Sequence, residues 1–304
     1  FLKKLKRLMK KSFIIVTGGA GFVGSHLIER LLKFKDQRII SIDNYSSGSS
    51  KNHIKNKRVK YLNLNTRNIS KALGKYRNSI STIFHFGEFS RIYQSFEKFN
   101  ECFLSNSIGS KAVFNFCLEN NIRLIYSATS ASLGNNGSDK NLSPYAFTKS
   151  KNLELLMNLK KWFKLKYEII YFYNVYGPRQ ISKGDMATVI GIFEDQKKRG
   201  QPLTVVKPGT QTRRFTHIDD TISICIRAWK KQKHQHYSIS NKKKYSILQV
   251  AKMFKSRIVF LPKRKGERYS SALVNMHLKN KIVKFYGKKS LKEYINNFLK
   301  TLDR

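Results

Sequence analysis

Acidic side chains are scarce in this chain. Its 304 residues include 18 Asp and Glu against 60 Lys and Arg, which gives a formal net charge of +42 at pH 7. Cysteine is scarce as well, and the three residues, Cys102, Cys117 and Cys225, follow no common spacing. Such a set provides neither a disulfide framework nor a metal site, so we expect free thiols, no bound metal and a cytoplasmic location.

Long apolar runs are also missing. Hydrophobic residues make up 40% of the chain, yet no run approaches the roughly 18 residues that a membrane span needs. The apolar run at 13–16 follows a basic leader but passes directly into glycines, which is not the pattern of a signal peptide. We therefore expect a soluble protein without a membrane partner.

The excess of positive charge has two interpretations. A polyanion-binding protein usually concentrates its basic residues in one patch or motif. Here they are spread along the whole chain, including 230–233, 242–244 and 288–289. This favours a compositional bias over a specific nucleic-acid partner, although polyanions would still be attracted without specificity at low salt.

Short apolar runs alternate with helix-length segments along the first two thirds of the chain. The predicted strands are 12–17, 38–43, 59–64, 82–86, 123–127, 167–173 and, later, 237–240. The predicted helices are 22–34, 67–77, 105–120, 145–165, 187–199, 219–230, 247–255 and 290–301. Repeated strand–helix units predict an α/β fold with a Rossmann-type, doubly wound parallel sheet.

The pattern becomes looser after Gly177, which suggests a division of the chain. We expect residues 9–176 to form a cofactor-binding Rossmann domain, completed by the strand near 237–240. Residues 177–304 would form mainly a smaller, interleaved substrate-binding lobe. Because Met9, unlike Phe1, opens a stretch typical of a protein start, we expect residues 1–8 to lie outside the fold.

A glycine-rich turn lies between the first predicted strand and the first predicted helix. Gly18, Gly21 and Gly24 follow one another at intervals of three residues. A turn without side chains lets backbone N–H groups and the helix N-terminus approach a pyrophosphate. Asp43 ends the second strand, where a carboxylate can accept the ribose hydroxyls of NAD and repel the additional phosphate of NADP. The sequence therefore predicts NAD as the cofactor.

Tyr145 and Lys149 lie one turn apart on the helix that Pro144 opens. An ammonium group beside a phenol favours the phenolate, which can act as a base near neutral pH. Thr129 ends a preceding predicted strand and can donate a hydrogen bond to the oxygen on which Tyr145 acts. The three side chains are candidate catalytic residues.

From about residue 12 onwards the chain resembles the extended short-chain dehydrogenase/reductase family, which comprises the nucleotide-sugar epimerases and dehydratases. The matching motifs are the glycine-rich turn, Asp43, the run 85–88, Asn106, Thr129, Tyr145 with Lys149, the run 174–179 and the run 211–213. The resemblance implies a catalytic triad of Thr129, Tyr145 and Lys149.

The resemblance also implies two sets of binding residues. Those for NAD are Gly18, Gly21, Phe22, Val23, Gly24, Asp43, Asn44, Asn65, Phe86, Gly87, Asn106, Tyr145 and Lys149. Those for a nucleotide-sugar substrate are Ser90, Arg91, Thr129, Asn174, Arg213, Arg264 and Ser271. Among the latter, Asn174, Arg213 and Arg264 would hold the diphosphate, because guanidinium groups match phosphate oxygens.

The chain departs from the family pattern at several positions. Asn65 and Asn68 replace aspartates that are common after the third strand, and Leu133 replaces a tyrosine before Gly134. Glu88 replaces a small residue, and two interpretations stay open for it: a contact to the substrate, or a buried ion pair.

The residues after Thr129 discriminate between reactions. The 4,6-dehydratases carry an acidic residue or pair there, whereas this chain has Ser130 and Ala131, which disfavours dehydration. A 4-epimerase of the UDP-hexose type is favoured, and a 4-ketoreductase, a dehydrogenase or a decarboxylase remains possible. The non-enzymatic alternative is a catalytically silent relative that acts as a redox sensor or as a polyanion-binding protein.

Two further expectations concern the substrate and the assembly. The resemblance implies that Ser271 occupies the position where a tyrosine in some members fills the space beside the sugar C2 substituent, so UDP-N-acetylglucosamine is an expected substrate alongside UDP-glucose. If the alignment is shifted by a residue, Tyr269 or Ser270 takes that position instead. The family resemblance implies a homodimer in which the helices at 105–120 and 145–165 pair across a two-fold axis. The apolar residues expected there are Val113, Phe116, Cys117, Leu153, Leu156 and Leu159.

Overall fold

The computed structural model describes residues 13–130, 139–266 and 282–302. The described strands are β1 (Phe13–Thr17), β2 (Arg38–Asp43), β3 (Val59–Asn63), β4 (Ile80–His85), β5 (Arg123–Thr129), β6 (Tyr167–Phe172), β7 (Val175–Tyr176), β8 (Leu203–Val206), β9 (Thr212–Arg214), β10 (Thr216–His217), β11 (His236–Ser240), β12 (Lys244–Ser246), β13 (Ile258–Leu261) and β14 (Ile282–Tyr286). The described α-helices are α1 (Phe22–Leu31), α2 (Ile69–Leu73), α3 (Gln94–Glu97), α4 (Phe99–Phe103), α5 (Ser110–Glu119), α6 (Pro144–Phe163), α7 (Val189–Lys198), α8 (Ile218–Lys231), α9 (Ile247–Met253) and α10 (Leu291–Leu302).

Eight strands form the central sheet, in the order β14–β11–β6–β5–β4–β1–β2–β3. All neighbouring pairs in this sheet are parallel. The direction of the strand order reverses between β1 and β4, and the carboxyl ends of strands at such a reversal are the usual ligand crevice of an open sheet. The predicted Rossmann-type, doubly wound sheet is confirmed.

Helices cover both faces of the sheet. One buried apolar cluster joins the sheet to α5 and α6 through residues such as Phe114 and Leu156. A second cluster joins the opposite face to α1 and α8 through Leu27 and Ile222. Because parallel strands are buried on both faces, they appear in the sequence as continuous apolar runs.

A third apolar cluster forms the core of the smaller lobe. It is built from α7, α9, α10 and β8, with Phe193 and Phe254 fully buried. Local signals fix these helices: Ser246 and Gln249 form a capping box at the start of α9. The chain passes from the smaller lobe to β11 of the central sheet and then back to the lobe, so the two are interleaved as expected. The exact boundary at residue 176 stays a prediction.

The structure differs from the expected elements at several places, which include the short strands β7–β10, β12 and β13 and the short helices α3 and α4 that were not predicted. The helix expected at 67–77 is α-helical only in α2, with 3-10 turns at Thr66–Asn68 and Gly74–Ser79. The helix expected from residue 105 starts as a π-helical turn, Leu104–Gly109. The sequence analysis did not predict β14, an edge strand that is only partly buried. Among the described residues, no helix has the length and apolar character needed to cross a membrane.

Candidate active site

A cavity of about 770 Å³ opens at the carboxyl ends of the central strands and is closed on the other side by the smaller lobe. It collects almost all of the described residues that the sequence singled out. They are Gly18, Gly21, Phe22, Val23, Gly24, Asp43, Asn44, Asn65, Phe86, Gly87, Ser90, Arg91, Thr129, Tyr145, Lys149, Asn174, Arg213 and Arg264.

The glycine-rich turn leaves no room for side chains. Gly18 has a φ of +70°, and a Cβ atom built there would lie 2.8 Å from the backbone nitrogen of Gly87. A Cβ atom at Gly24 would collide with the carbonyl of Gly18. Behind the turn, Thr17 Oγ1 accepts hydrogen bonds from the backbone N–H groups of Phe86 (3.1 Å) and Gly87 (3.0 Å). The N-terminus of α1 therefore faces the cavity with bare backbone, which fits a pyrophosphate.

Asp43 ends β2 at the edge of the same cavity. Its carboxylate accepts hydrogen bonds from the backbone N–H groups of Ala20 (2.9 Å) and Tyr45 (2.8 Å). Burial raises the pKa of Asp43, and these backbone donors oppose the shift. Beside it, Asn44 Nδ2 donates to Asn65 Oδ1 at 2.9 Å. A dinucleotide with a ribose at Asp43 fits this arrangement.

Helix α6 presents Tyr145 and Lys149 to the cavity. The Ser143 hydroxyl caps the helix by accepting from the Ala146 N–H at 3.1 Å, and Pro144 occupies its first turn. Thr129 lies at the end of β5 and lines the same cavity. The end of β5 and the start of α6 thus place the three candidate catalytic residues at the same cavity.

Glu88 forms a buried ion pair with Lys149. The side chains of Glu88 and Lys149 are 3% and 5% exposed. Lys149 also donates to the carbonyl of Ser127, and its ammonium lies 4.4 Å from the centre of the Tyr126 ring. Of the two interpretations left open for Glu88, the geometry therefore favours the ion pair, formed with Lys149.

The ion pair sets the charge state of both partners. Burial alone would raise the pKa of Glu88, but the Lys149 ammonium and the hydrogen-bond donors around the carboxylate lower it overall. Burial lowers the pKa of Lys149, and Glu88 opposes that shift. Glu88 is therefore ionised, and its negative charge favours the ammonium form of Lys149.

Arg91 points into the site from the loop after β4. Its Nε and Nη2 atoms donate to the carbonyl of Met186, and Nη1 donates to the carbonyl of Ser90 at 2.9 Å. Burial lowers the pKa of Arg91, and the charge that Tyr145 gains on ionisation raises it. The guanidinium is thus fixed by backbone carbonyls within electrostatic reach of Tyr145.

Cationic groups of the smaller lobe line the opposite part of the cavity. Arg213 is buried in β9, and Arg264 lies over the ring of Tyr93 at 5.4 Å. Asn174 adopts a φ of +33° and donates to the carbonyl of Arg214 at 3.0 Å. Arginine side chains in this place suit phosphate oxygens.

Asn106 does not line the cavity, in contrast to the expectation. It is fully buried, accepts from the Phe89 N–H at 2.7 Å and donates to Thr148 Oγ1 at 3.2 Å. It braces the loop behind the cavity instead. Its place in a π-helical turn could not be deduced from apolar periodicity. Ser271, Ala131, Leu133 and Gly134 lie outside the described residues.

Three side chains that support Glu88 were not predicted from the sequence. Its Oε1 atom accepts from Ser110 Oγ (2.7 Å), Asn152 Nδ2 (2.9 Å) and Tyr126 OH (3.0 Å). A signal was available for Asn152, which follows Lys149 by three residues and shares the buried face of α6 with it.

Comparisons with known proteins agree with this geometry. A family model described as "NAD dependent epimerase/dehydratase family" matches residues 14–240. The chain is 31% identical to ADP-L-glycero-D-manno-heptose-6-epimerase of Brachyspira hyodysenteriae over 226 residues, 69% of this chain and 70% of the relative. It is 30% identical to the uncharacterized UDP-glucose epimerase YtcB of Bacillus subtilis, with the same coverage of both chains.

A solved structure with the same architecture is that of UDP-glucuronic acid 4-epimerase from Bacillus cereus, in complex with UDP-glucuronic acid and NAD. The two share 26% sequence identity, and the TM-score is 0.81 over 95% of this chain and 99% of that one. With the glycine-rich turn and Asp43, these findings establish NAD as the cofactor and a nucleotide-sugar enzyme as the class.

Proposed function

We propose, from the premise that this chain belongs to the NAD-dependent epimerase/dehydratase family, that it is a nucleotide-sugar 4-epimerase acting on UDP-hexoses. The observation that carries the proposal is the shared cavity. Thr129 and Tyr145 line it together with the glycine-rich turn, Asp43 and the arginines of the smaller lobe. One space therefore offers a base, a dinucleotide cradle and a diphosphate site.

Tyr145 acts as the base in this proposal. It takes the proton of the sugar 4-hydroxyl, and Thr129 donates a hydrogen bond to the same oxygen. When bound, NAD supplies the hydride acceptor and donor for sugar C4. The resulting 4-keto sugar turns over in the cavity, so that the hydride would return to the other face of C4 while Tyr145 returns its proton to the C4 oxygen.

Arg213, Arg264 and Asn174 bind the diphosphate in this proposal, and Ser90 and Arg91 contact the sugar. Arg213 and Arg264 would each present a planar guanidinium group to the phosphate oxygens.

We further propose that UDP-N-acetylglucosamine is accepted alongside UDP-glucose, because the side chain of Ser271 is small. In Ser271→Tyr, catalytic efficiency on the acetylated sugar should fall relative to the plain sugar. An equal ratio in both proteins would dismiss Ser271 as the determinant.

The second candidate function is that of a decarboxylase, a 4-ketoreductase or a dehydrogenase. A 4,6-dehydratase is less favoured than the epimerase and than this second candidate. The dehydratase is disfavoured because Ser130, which lies at the cavity behind Thr129, carries no acid–base group for its chemistry. In all of these reactions Tyr145 would have the same role at C4. Products therefore discriminate between them better than active-site variants do.

The test is incubation of the protein, without added cofactor, with UDP-glucose, UDP-N-acetylglucosamine, UDP-glucuronic acid and an ADP-heptose. NMR spectra identify the products. An epimerase yields an isomer of one substrate at constant mass, whereas a decarboxylase releases CO2 and a dehydratase loses water. Absence of any product, with polyanion binding that shows sequence preference, would point to the non-enzymatic alternative.

We also propose a homodimer and a cytoplasmic location. Cys102, Cys117 and Cys225 are buried free thiols, which suits a reducing compartment. The residues first expected at the dimer contact are buried inside the monomer. They are Val113, Phe116, Cys117, Leu153, Leu156 and Leu159.

The exposed apolar residues of the same region form another surface. The α4–α6 patch consists of Phe99, Phe103, Leu104, Ile108 and Phe147. Four of these, all except Phe103, are between 38% and 52% exposed, and Phe103 stacks between Phe99 (4.5 Å) and Phe147 (6.3 Å). We place the dimer contact on this patch.

A further inference from the structure

A second carboxylate, Glu88, lies beside the candidate catalytic pair. We propose that Glu88 is a positioning residue, which holds the ammonium of Lys149 and thereby limits the positive charge that acts on Tyr145. This inference rests on the proposed function only for the roles of Tyr145 and Lys149. The contacts of Glu88 itself come from the geometry.

The carboxylate of Glu88 is held by donors from three elements. Lys149 of α6 donates to Oε2. Three further donors reach Oε1: Ser110 of α5, Tyr126 of β5 and Asn152 of α6. A protonated carboxyl group would have to donate one hydrogen itself, whereas an ionised one accepts from all four donors. The environment of Glu88 is therefore built for a negative charge.

A chain of hydrogen bonds behind Glu88 has a defined direction. Ser110 uses its only hydrogen for Glu88, so it must accept from His85 Nε2 at 2.9 Å. His85 Nδ1 then accepts from Thr17 Oγ1 at 2.7 Å. This assigns a neutral His85 with its proton on Nε2, in agreement with burial, which lowers the pKa of His85 to about 4. All hydrogens of the chain point towards Glu88.

Most of the hydrogen-bond donors of Lys149 are already used by acceptors within the protein. Of its three N–H groups, one goes to Glu88 and one to the carbonyl of Ser127. Both acceptors belong to the protein and do not depend on a ligand. The ammonium is thus held in a fixed position before a substrate binds, which is the purpose of a supporting residue at a catalytic site.

The charge balance at Tyr145 follows from the pair. An isolated Lys149 would present one positive charge to the phenol, but Lys149 with Glu88 presents a neutral pair. The other ionisable groups near these residues do not titrate around neutral pH. Burial lowers the pKa of His85 to about 4, raises that of Cys102 to about 11 and raises that of Tyr126 well above its ordinary value, while Arg91 keeps its charge.

Removal of the Glu88 charge should make the Tyr145–Lys149 pair more acidic. In Glu88→Gln, the Ser127 carbonyl and the Tyr126 ring still support the ammonium, and the negative charge that opposed phenolate formation is gone. The first proton of the pair then leaves at lower pH. A residue with a merely structural role would reduce the rate without this shift.

The test compares the pH dependence of kcat/KM in the wild type, in Glu88→Gln and in a matched control. Glu168→Gln is the control, because Glu168 is another buried carboxylate, bound by the backbone N–H groups of His234 and Gln235. We expect the acid limb to move down by about one pH unit in Glu88→Gln and to stay in place in Glu168→Gln. An acid limb in Glu88→Gln that coincides with the wild type would overturn the inference. If Glu88→Gln does not fold, Glu88→Asp withdraws the carboxylate from Lys149 and should give a smaller shift in the same direction.

A second readout is independent of turnover. The tyrosinate absorbance of the wild type, minus that of Tyr145→Phe, isolates the ionisation of Tyr145. The same subtraction is made in the Glu88→Gln background. We expect a lower midpoint in Glu88→Gln, and an equal or higher midpoint would refute the role of Glu88. If no sugar is turned over but the midpoint still falls, the proposed reaction fails while the inference about Glu88 stands.

Discussion

Asp43 is tied to Ala20 of the glycine-rich turn, because its Oδ2 atom accepts the backbone N–H of Ala20 at 2.9 Å. The second oxygen accepts the N–H of Tyr45 at 2.8 Å. One carboxylate therefore joins the end of β2 to the turn after β1. Both oxygens keep further lone pairs, which can accept hydroxyl groups of a ribose.

Asp43→Asn should weaken NAD binding more than it weakens the fold. The variant loses charged hydrogen bonds to the ribose, a loss of about 1–3 kcal/mol or roughly 5- to 150-fold in Kd. The fold should lose less, because burial raises the pKa of Asp43, so that folding already acts against the charge that the variant removes. Calorimetric titration with NAD and with NADP, and thermal unfolding of the free protein, measure both effects.

Asp36→Asn is the matched control, since Asp36 is exposed in the turn before β2. It should bind NAD like the wild type. Equal affinity of the wild type for NAD and NADP would contradict the assigned role of Asp43.

Tyr145→Phe should abolish turnover and leave NAD binding nearly intact. The phenol oxygen is needed only for proton transfer, whose loss costs typically 100- to 10,000-fold in rate. The ring itself is retained, so the shape of the cavity changes little. Initial rates by NMR and the Kd for NAD should therefore separate. A rate near that of the wild type would dismiss Tyr145 as the base.

Lys149→Met should destabilise the protein in a pH-dependent way. The variant leaves Glu88 buried without its partner, which costs about 3–5 kcal/mol for a removed partner of a buried pair. In the wild type the pKa of Glu88 is lowered, so its contribution to stability is present above the unfolded value of about 4.3 and is lost as the pH falls through the folded pKa. In Lys149→Met, burial should instead raise the pKa of Glu88. The free energy of unfolding should therefore fall further below that of the wild type as the pH rises above about 4.

Denaturant titrations at pH 5 and pH 8 measure this difference. The free energy of unfolding of Lys149→Met should fall further below the wild type at pH 8 than at pH 5. The double variant Lys149→Met/Glu88→Gln should recover part of the loss at pH 8. A deficit that is independent of pH would mean that Glu88 is not the group left unpaired.

The sequence was sufficient for seven of the eight strands of the central sheet and for the residues that lie close together in a local motif. Buried parallel strands such as β2 are rich in apolar residues, and the predicted limits of β2 agree with the structure. Tyr145 and Lys149 could be paired because one helix carries both. The ion pair of Glu88 with Lys149 could not be predicted, because the two residues lie 61 residues apart in the chain. Only the packing of two elements brings them together.

Other features escaped prediction for different reasons. The edge strand β14 is only partly buried, and its short apolar sequence lies within a stretch rich in lysine. The dimer residues were sought on the apolar stripes of α5 and α6, but those stripes face the central sheet. Periodicity identifies an apolar face of a helix, and it does not state which neighbour covers that face.

Phe147→Glu should dissociate the proposed homodimer. Phe147 lies at the N-terminal end of α6 in the α4–α6 patch and is 38% exposed. A carboxylate within an apolar contact loses its water without gaining a partner, so the Kd of the dimer should rise at least tenfold. Light scattering at micromolar concentration should give the mass of a dimer for the wild type and that of a monomer for the variant. Phe260→Glu, which changes an exposed phenylalanine of β13 outside the patch, should stay dimeric. A monomeric wild type would refute the homodimer, and dissociation by Phe260→Glu instead would move the contact to the smaller lobe.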